Sequence, residues 1–131
     1  MPNTRFLNPP AIHPPRGYSH VVEATGPGRI VYIAGQLGVD PSGKMGVDFR
    51  AQAVQAFENL KAALAVVGGT FEQVVKVNMY FTDIDAQLPI AREVRDRYVN
   101  TAAAPASTAV QISKLAREGA LYEIEAVALL P

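Results

Sequence analysis

Residues 75–82 (VKVNMYFT) alternate strictly between apolar and polar. Val75, Val77, Met79 and Phe81 share one side; Lys76, Asn78, Tyr80 and Thr82 share the other. A period of two is the mark of a strand with one face in a core. The second face must meet solvent, a ligand or another subunit. This strand fixes the problem the rest of the chain has to solve: something apolar must cover one side of a sheet.

The segment before it supplies that cover. Asp48 reads as a helix N-cap. From Phe49 onward, Phe57, Leu60, Leu64 and Val67 recur at three- and four-residue steps. Gly68-Gly69 reads as the stop. Ala53, Ala56 and Ala63 let such a helix lie close to a sheet. A second helix is predicted from about Pro89 to Tyr98, with Pro89 in its first turn. Ile90, Val94 and Tyr98 form its apolar stripe. Arg92, Glu93, Arg95, Asp96 and Arg97 read as a solvated face.

Further strands are expected at residues 20–24, 29–36, 107–113 and 121–129, with a short leading strand near 5–7. Gly26-Pro27-Gly28 reads as a hairpin turn between the first two of these, and Arg117-Glu118-Gly119 as one between the last two. Residues 8–17 carry four prolines and read as a loop. The order β-β-α-β-α-β-β gives an α+β sheet with both helices on one face. All 131 residues fit one domain, residues 1–131. Several strands look apolar on both faces, which points to packing against copies of the same chain.

Composition narrows the function. Twelve basic and twelve acidic residues cancel, with no basic stripe, so no nucleic-acid partner is expected. Zero cysteines exclude disulfides and thiolate metal sites. His13 and His20 are the only histidines and read as loop residues, so no metal site is expected. The most apolar end, Ala120 to Pro131, is too short for a bilayer and is broken by Glu123 and Glu125; no membrane partner is expected. With no signal-peptide pattern at the N-terminus, the expected location is cytoplasmic. Dinucleotide, P-loop, zinc-protease and serine-hydrolase patterns are absent.

A few residues remain as candidates for chemistry. Glu123 and Glu125 share one strand face. A carboxylate there reads either as a solvated face or as a group that orients and activates water. Tyr18 reads either as a loop anchor or as a pocket hydroxyl. Ala34-Gly35 ends a strand where a ligand can approach the backbone, or where the chain simply turns. Ser107 and Thr108 open a strand after Pro105.

In order along the chain, Gly17-Tyr18-Ser19-His20-Val21-Val22, Val31-Tyr32-Ile33-Ala34-Gly35-Gln36-Leu37-Gly38, Val74 to Asp83, Pro105-Ala106-Ser107-Thr108-Ala109-Val110 and Glu123-Ile124-Glu125-Ala126 resemble the motifs of the RidA/YjgF family. The resemblance covers nearly the whole chain. It implies a chorismate-mutase-like fold, a homotrimer and small-molecule clefts between subunits. It implies hydrolysis of reactive enamines and imines such as 2-aminoacrylate to keto acid and ammonia, without cofactor. Tyr18 matches the family's pocket tyrosine, Gly35 its backbone donor and Glu125 its water-positioning glutamate. Ala34 replaces a serine. Ser107 stands where the family has a carboxylate-clamping arginine, and Arg92 replaces a frequent asparagine. Arg92 and then Arg16 are the candidate substitutes for the missing cation. The leading expectation is imine or enamine hydrolysis on a non-standard substrate. The alternatives are a non-catalytic metabolite-binding or chaperone-like trimer and, third, an endoribonuclease-type protein.

Overall fold

The computed structural model describes residues 3–131. Strands β1 (Asn3–Leu7) and β2 (Val21–Thr25) pair with each other. The main sheet holds β3 (Arg29–Leu37), β4 (Val74–Phe81), β5 (Ala106–Gln111) and β6 (Tyr122–Leu130) in the order β3-β6-β4-β5. Only β4 and β5 run parallel. A parallel neighbour needs a crossover, which helix α2 (Ile84–Arg95) supplies.

Helix α1 (Phe49–Val66) forms where the spacing predicts it. The Asp48 carboxylate accepts from the N–H of Ala51 at 2.8 Å. At the other end the Gly69 N–H reaches the Leu64 carbonyl, with Gly68 at φ +78°. Phe57, Leu60 and Leu64 are fully buried between α1 and the sheet, against Val77, Phe81, Ile124 and Ala126. Both helices lie on one face, which makes the chain the expected α+β layer pair.

The pairing departs from the sequence reading in two places. Gly26-Pro27-Gly28 does not close a hairpin, because β2 pairs with β1 and β3 pairs with β6. Strand β2 is largely exposed, at the side of β1 and outside the core sheet. Arg117-Glu118-Gly119 turns the chain at Gly119, φ +80°, yet β5 and β6 are not neighbours. The crossover through α2 puts β5 on one edge of β4, and β6 takes the other edge.

Helix α2 starts five residues before Pro89, at Ile84. The Asp83 side chain caps it, and Gln87 Oε1 accepts from the N–H of Asp83 at 2.9 Å. Pro89 therefore lies in the second turn rather than the first. Pro89 and Asp85, whose carbonyl loses its partner there, are both exposed, so water can serve that carbonyl. A bulge between Val74 and Lys76 also shifts the alternation. Val74 takes the core place, and Val75 turns to the open face.

The largest departure is Arg95, predicted on the solvated face and found 5% exposed. It shares the buried stripe of α2 with Gln87, Ala91 and Val94. The face of the sheet away from the helices is open and apolar at one end, with Ile30 at 62% and Tyr32 at 77% exposure.

Candidate functional site

The sheet divides the predicted site residues into two groups. Ser107 aligns with Val77 and so points to the helix side. Thr108 aligns with Asn78, and Glu125 also pairs with Asn78, so both point to the open side. Glu123, two residues from Glu125, shares that side.

The helix-side group is built on the end of the proline loop. Ser19 is buried. Its hydroxyl donates to the Ala104 carbonyl, and its N–H to that of Pro105 at 3.1 Å. This bridge pins Tyr18 beside the start of β5. The Tyr18 hydroxyl lies 3.2 Å from Nε2 of His13. His20 packs edge-on to both rings and donates from Nε2 to the His13 carbonyl at 2.7 Å. The two histidines are loop residues, as predicted, and they position the tyrosine.

Tyr18 and Ser107 face a small cavity of about 120 Å³, lined also by Leu88, Met79, Arg16, Arg92 and Arg95. An adjoining cavity of about 200 Å³ shares Arg16, Tyr18 and Arg92 and adds His13. Both cations expected to replace the missing arginine are thus present. The third, Arg95, was missed because its charge placed it on the solvated face. Its position one turn after Ala91, on the packed stripe, was the available signal.

The open-side group centres on a bulge. Ile33 pairs with Ala126 and Gln36 with Ile124, so Ala34 and Gly35 together oppose Glu125. A bulge leaves its extra residue out of the ladder. The Glu123 carboxylate lies close over Gly35: a Cβ there would sit 2.6 Å from its Oε1, so any larger residue would displace that side chain. Burial first, then the charge of Glu125, raises the Glu123 carboxyl above its ordinary value. No hydrogen bond to Glu123 opposes that shift. Glu125 is held differently, accepting a short hydrogen bond from the Tyr80 hydroxyl, whose own pKa that bond raises. Thr108 accepts from Lys76 Nζ at 2.8 Å, on the same side.

Two carboxylates side by side in unlike environments can carry different protonation states. The sequence marked both and singled out Glu125; the geometry adds Glu123 as the less engaged of the two. Among the described residues no cluster of three or more metal-ligating side chains forms. Among the same residues no helix is long and apolar enough to cross a membrane.

Residues 9–130 match the family model described as Endoribonuclease L-PSP. The chain is 39% identical over 123 residues to Protein DfrA of Myxococcus xanthus, covering 92% of this chain and 88% of that one. It is 35% identical over 123 residues to the 2-iminobutanoate/2-iminopropanoate deaminase of Mus musculus, covering 92% and 84%. The structure of the Rid-family protein of unknown function YyfB from Yersinia pestis superposes with a TM-score of 0.85 at 32% identity, covering 98% of this chain and 99% of that one.

Proposed function

We propose, since this chain belongs to the RidA/YjgF family, that it hydrolyses a small imine or enamine to a carbonyl compound and ammonia. The observation that carries this reading is the Glu123–Glu125 pair against the Gly35 bulge. Glu123, whose carboxyl burial raises above its ordinary value, is suited to take up and return a proton. Glu125, fixed by Tyr80, positions the water.

The steps balance without a cofactor. A water oxygen bonds to the imine carbon while its proton passes to Glu123. Glu123 returns that proton to the nitrogen, giving a carbinolamine. Glu123 then takes the hydroxyl proton and delivers it to the nitrogen as the C–N bond breaks. The products are the carbonyl compound and ammonia. An enamine enters the same route once its β-carbon has gained a proton and its nitrogen has given one up, which leaves the imine.

One copy keeps Tyr18 and Ser107 across the sheet from these carboxylates. The reading therefore includes a homotrimer in which the open face of one copy meets the Tyr18 cavity of the next. The exposed Ile30 and Tyr32 support such packing. The same separation also favours a second reading, in which the cavity binds a metabolite without turning it over.

The test is ammonia release from freshly generated 2-aminoacrylate and bulkier imines. Wild type should accelerate release on at least one, and Glu123→Gln should lose about a hundredfold or more. No acceleration on any imine leaves the metabolite-binding reading.

A further inference from the structure

The two adjoining cavities beside Tyr18 hold an unbalanced charge. Arg16, Arg92 and Arg95 all line the inner one. Arg95 is buried, and its Nε and Nη2 both meet one carboxylate oxygen, Asp96 Oδ1, at 3.0 Å. A guanidinium has five N–H donors, so the rest of its fork remains open. Arg16 and Arg92 form no ion pair among the described residues. Glu93, the nearest acid on α2, is turned toward Arg50 at 3.0 Å and Arg97 at 3.9 Å. Within one copy, three guanidinium charges against the single Asp96 carboxylate leave two positive charges at the cavity.

Their arrangement is two-ended. Arg95 and Ser107 belong only to the inner cavity, and His13 only to the outer. Arg16, Arg92 and the Tyr18 ring lie along both. A cationic pocket of this kind is satisfied by oxyanions, which guanidinium groups bind in directed pairs. A single carboxylate would cancel only half of the excess.

We propose that this pocket binds a short dicarboxylate, with one carboxylate held inside by Arg95, Ser107 and Tyr18 and the other at the mouth by Arg92 and Arg16. Resting on the hydrolase reading, this makes the substrate an imine with a second carboxylate. Alone, it assigns a ligand class to the pocket.

Equilibrium binding tests it without turnover. 2-Oxoglutarate and 2-oxobutanoate are titrated calorimetrically against the native chain at low salt. The dicarboxylate is expected to bind about tenfold or more tightly. Arg92→Gln and Arg16→Gln, both at exposed positions, should each cut that preference severalfold while 2-oxobutanoate binding persists. Equal binding of the two keto acids overturns the proposal, as does a preference that both variants leave intact. Inorganic phosphate binding as tightly as 2-oxoglutarate, and lost in Arg92→Gln, overturns it in favour of a phosphate ligand. The readout is independent of ammonia release: a dicarboxylate preference with no turnover sinks only the hydrolase reading, and turnover without the preference sinks only this one.

Discussion

The guanidinium of Arg95 lies directly beneath the backbone of Gly17, so close that a Cβ on Gly17 would sit 1.9 Å from Nη2. Gly17 also has φ +74°, a region that costs an L-residue about 1–2 kcal/mol. Gly17→Ala therefore carries two penalties, the backbone strain and a displaced buried cation. Urea unfolding should show a loss larger than the strain alone. If the loss is only the strain, Arg95 moves freely and is not held by the loop.

Arg95 also shows where sequence reading stops. Helix α1 was legible because its spacing, its Asp48 cap and its glycine stop all agree within one segment. The burial of Arg95 depends on Gly17, far away in the chain, and a charge with no visible cover reads as solvated. The same limit hid the order of the strands. Alternation marks which residues share a face, but it says nothing of which edge a neighbour takes. It likewise paired Glu123 with Glu125 without showing that Tyr80 engages one and that the other lies over Gly35.

Tyr122 is fully buried and its hydroxyl has no hydrogen-bond partner among the described residues. Burial alone pushes its pKa well up, because the charged phenolate would be desolvated. Such an orphan costs about 1–3 kcal/mol. Tyr122→Phe keeps the ring packing against Phe49, Phe57 and Phe81 and removes the orphan. The variant should match or exceed wild-type stability, by up to about 2 kcal/mol in urea unfolding. A clear loss would mean that the hydroxyl has a partner after all.

Gln52 is the opposite case, a buried amide in full use. Its Nε2 donates to the carbonyls of Gly46 at 3.1 Å and Gly119 at 3.0 Å, and its Oε1 accepts from Leu121 at 2.8 Å. It ties two loops to the start of the strand that carries Glu123. Gln52→Leu should cost about 2 kcal/mol or more in thermal or urea unfolding, because the Leu121 N–H loses its partner. An unchanged midpoint would show that water replaces the amide.

Glu123 makes stability depend on pH in an unusual direction. Its folded-state carboxyl is raised above the unfolded value, so between the two values the folded chain binds more protons. The contribution of this group is most favourable below the unfolded value and declines as pH rises through the folded one. Glu123→Gln should remove that decline, seen as the difference between wild-type and variant unfolding midpoints across this window. In Glu125→Gln the titration of Glu123, followed by carboxyl carbon resonance, should move part of the way down, since burial, the larger cause, remains. A difference curve that rises with pH would contradict the assignment.

The division of the site across the sheet predicts complementation between copies. Tyr18→Phe damages the helix-side cavity, and Glu123→Gln the open-side carboxylates; neither variant alone should turn over substrate well. If each complete site joins the cavity of one copy to the open face of the next, mixed trimers regain intact sites. Random mixing in equal amounts should make about a quarter of the sites whole, as the two required faces are drawn independently around a closed ring. The variants are unfolded together, refolded and assayed for ammonia release. Recovery well above either variant alone supports a site shared between neighbours. No recovery, with mixed assemblies verified by mass, would mean that cavity and carboxylates belong to separate functions of one chain.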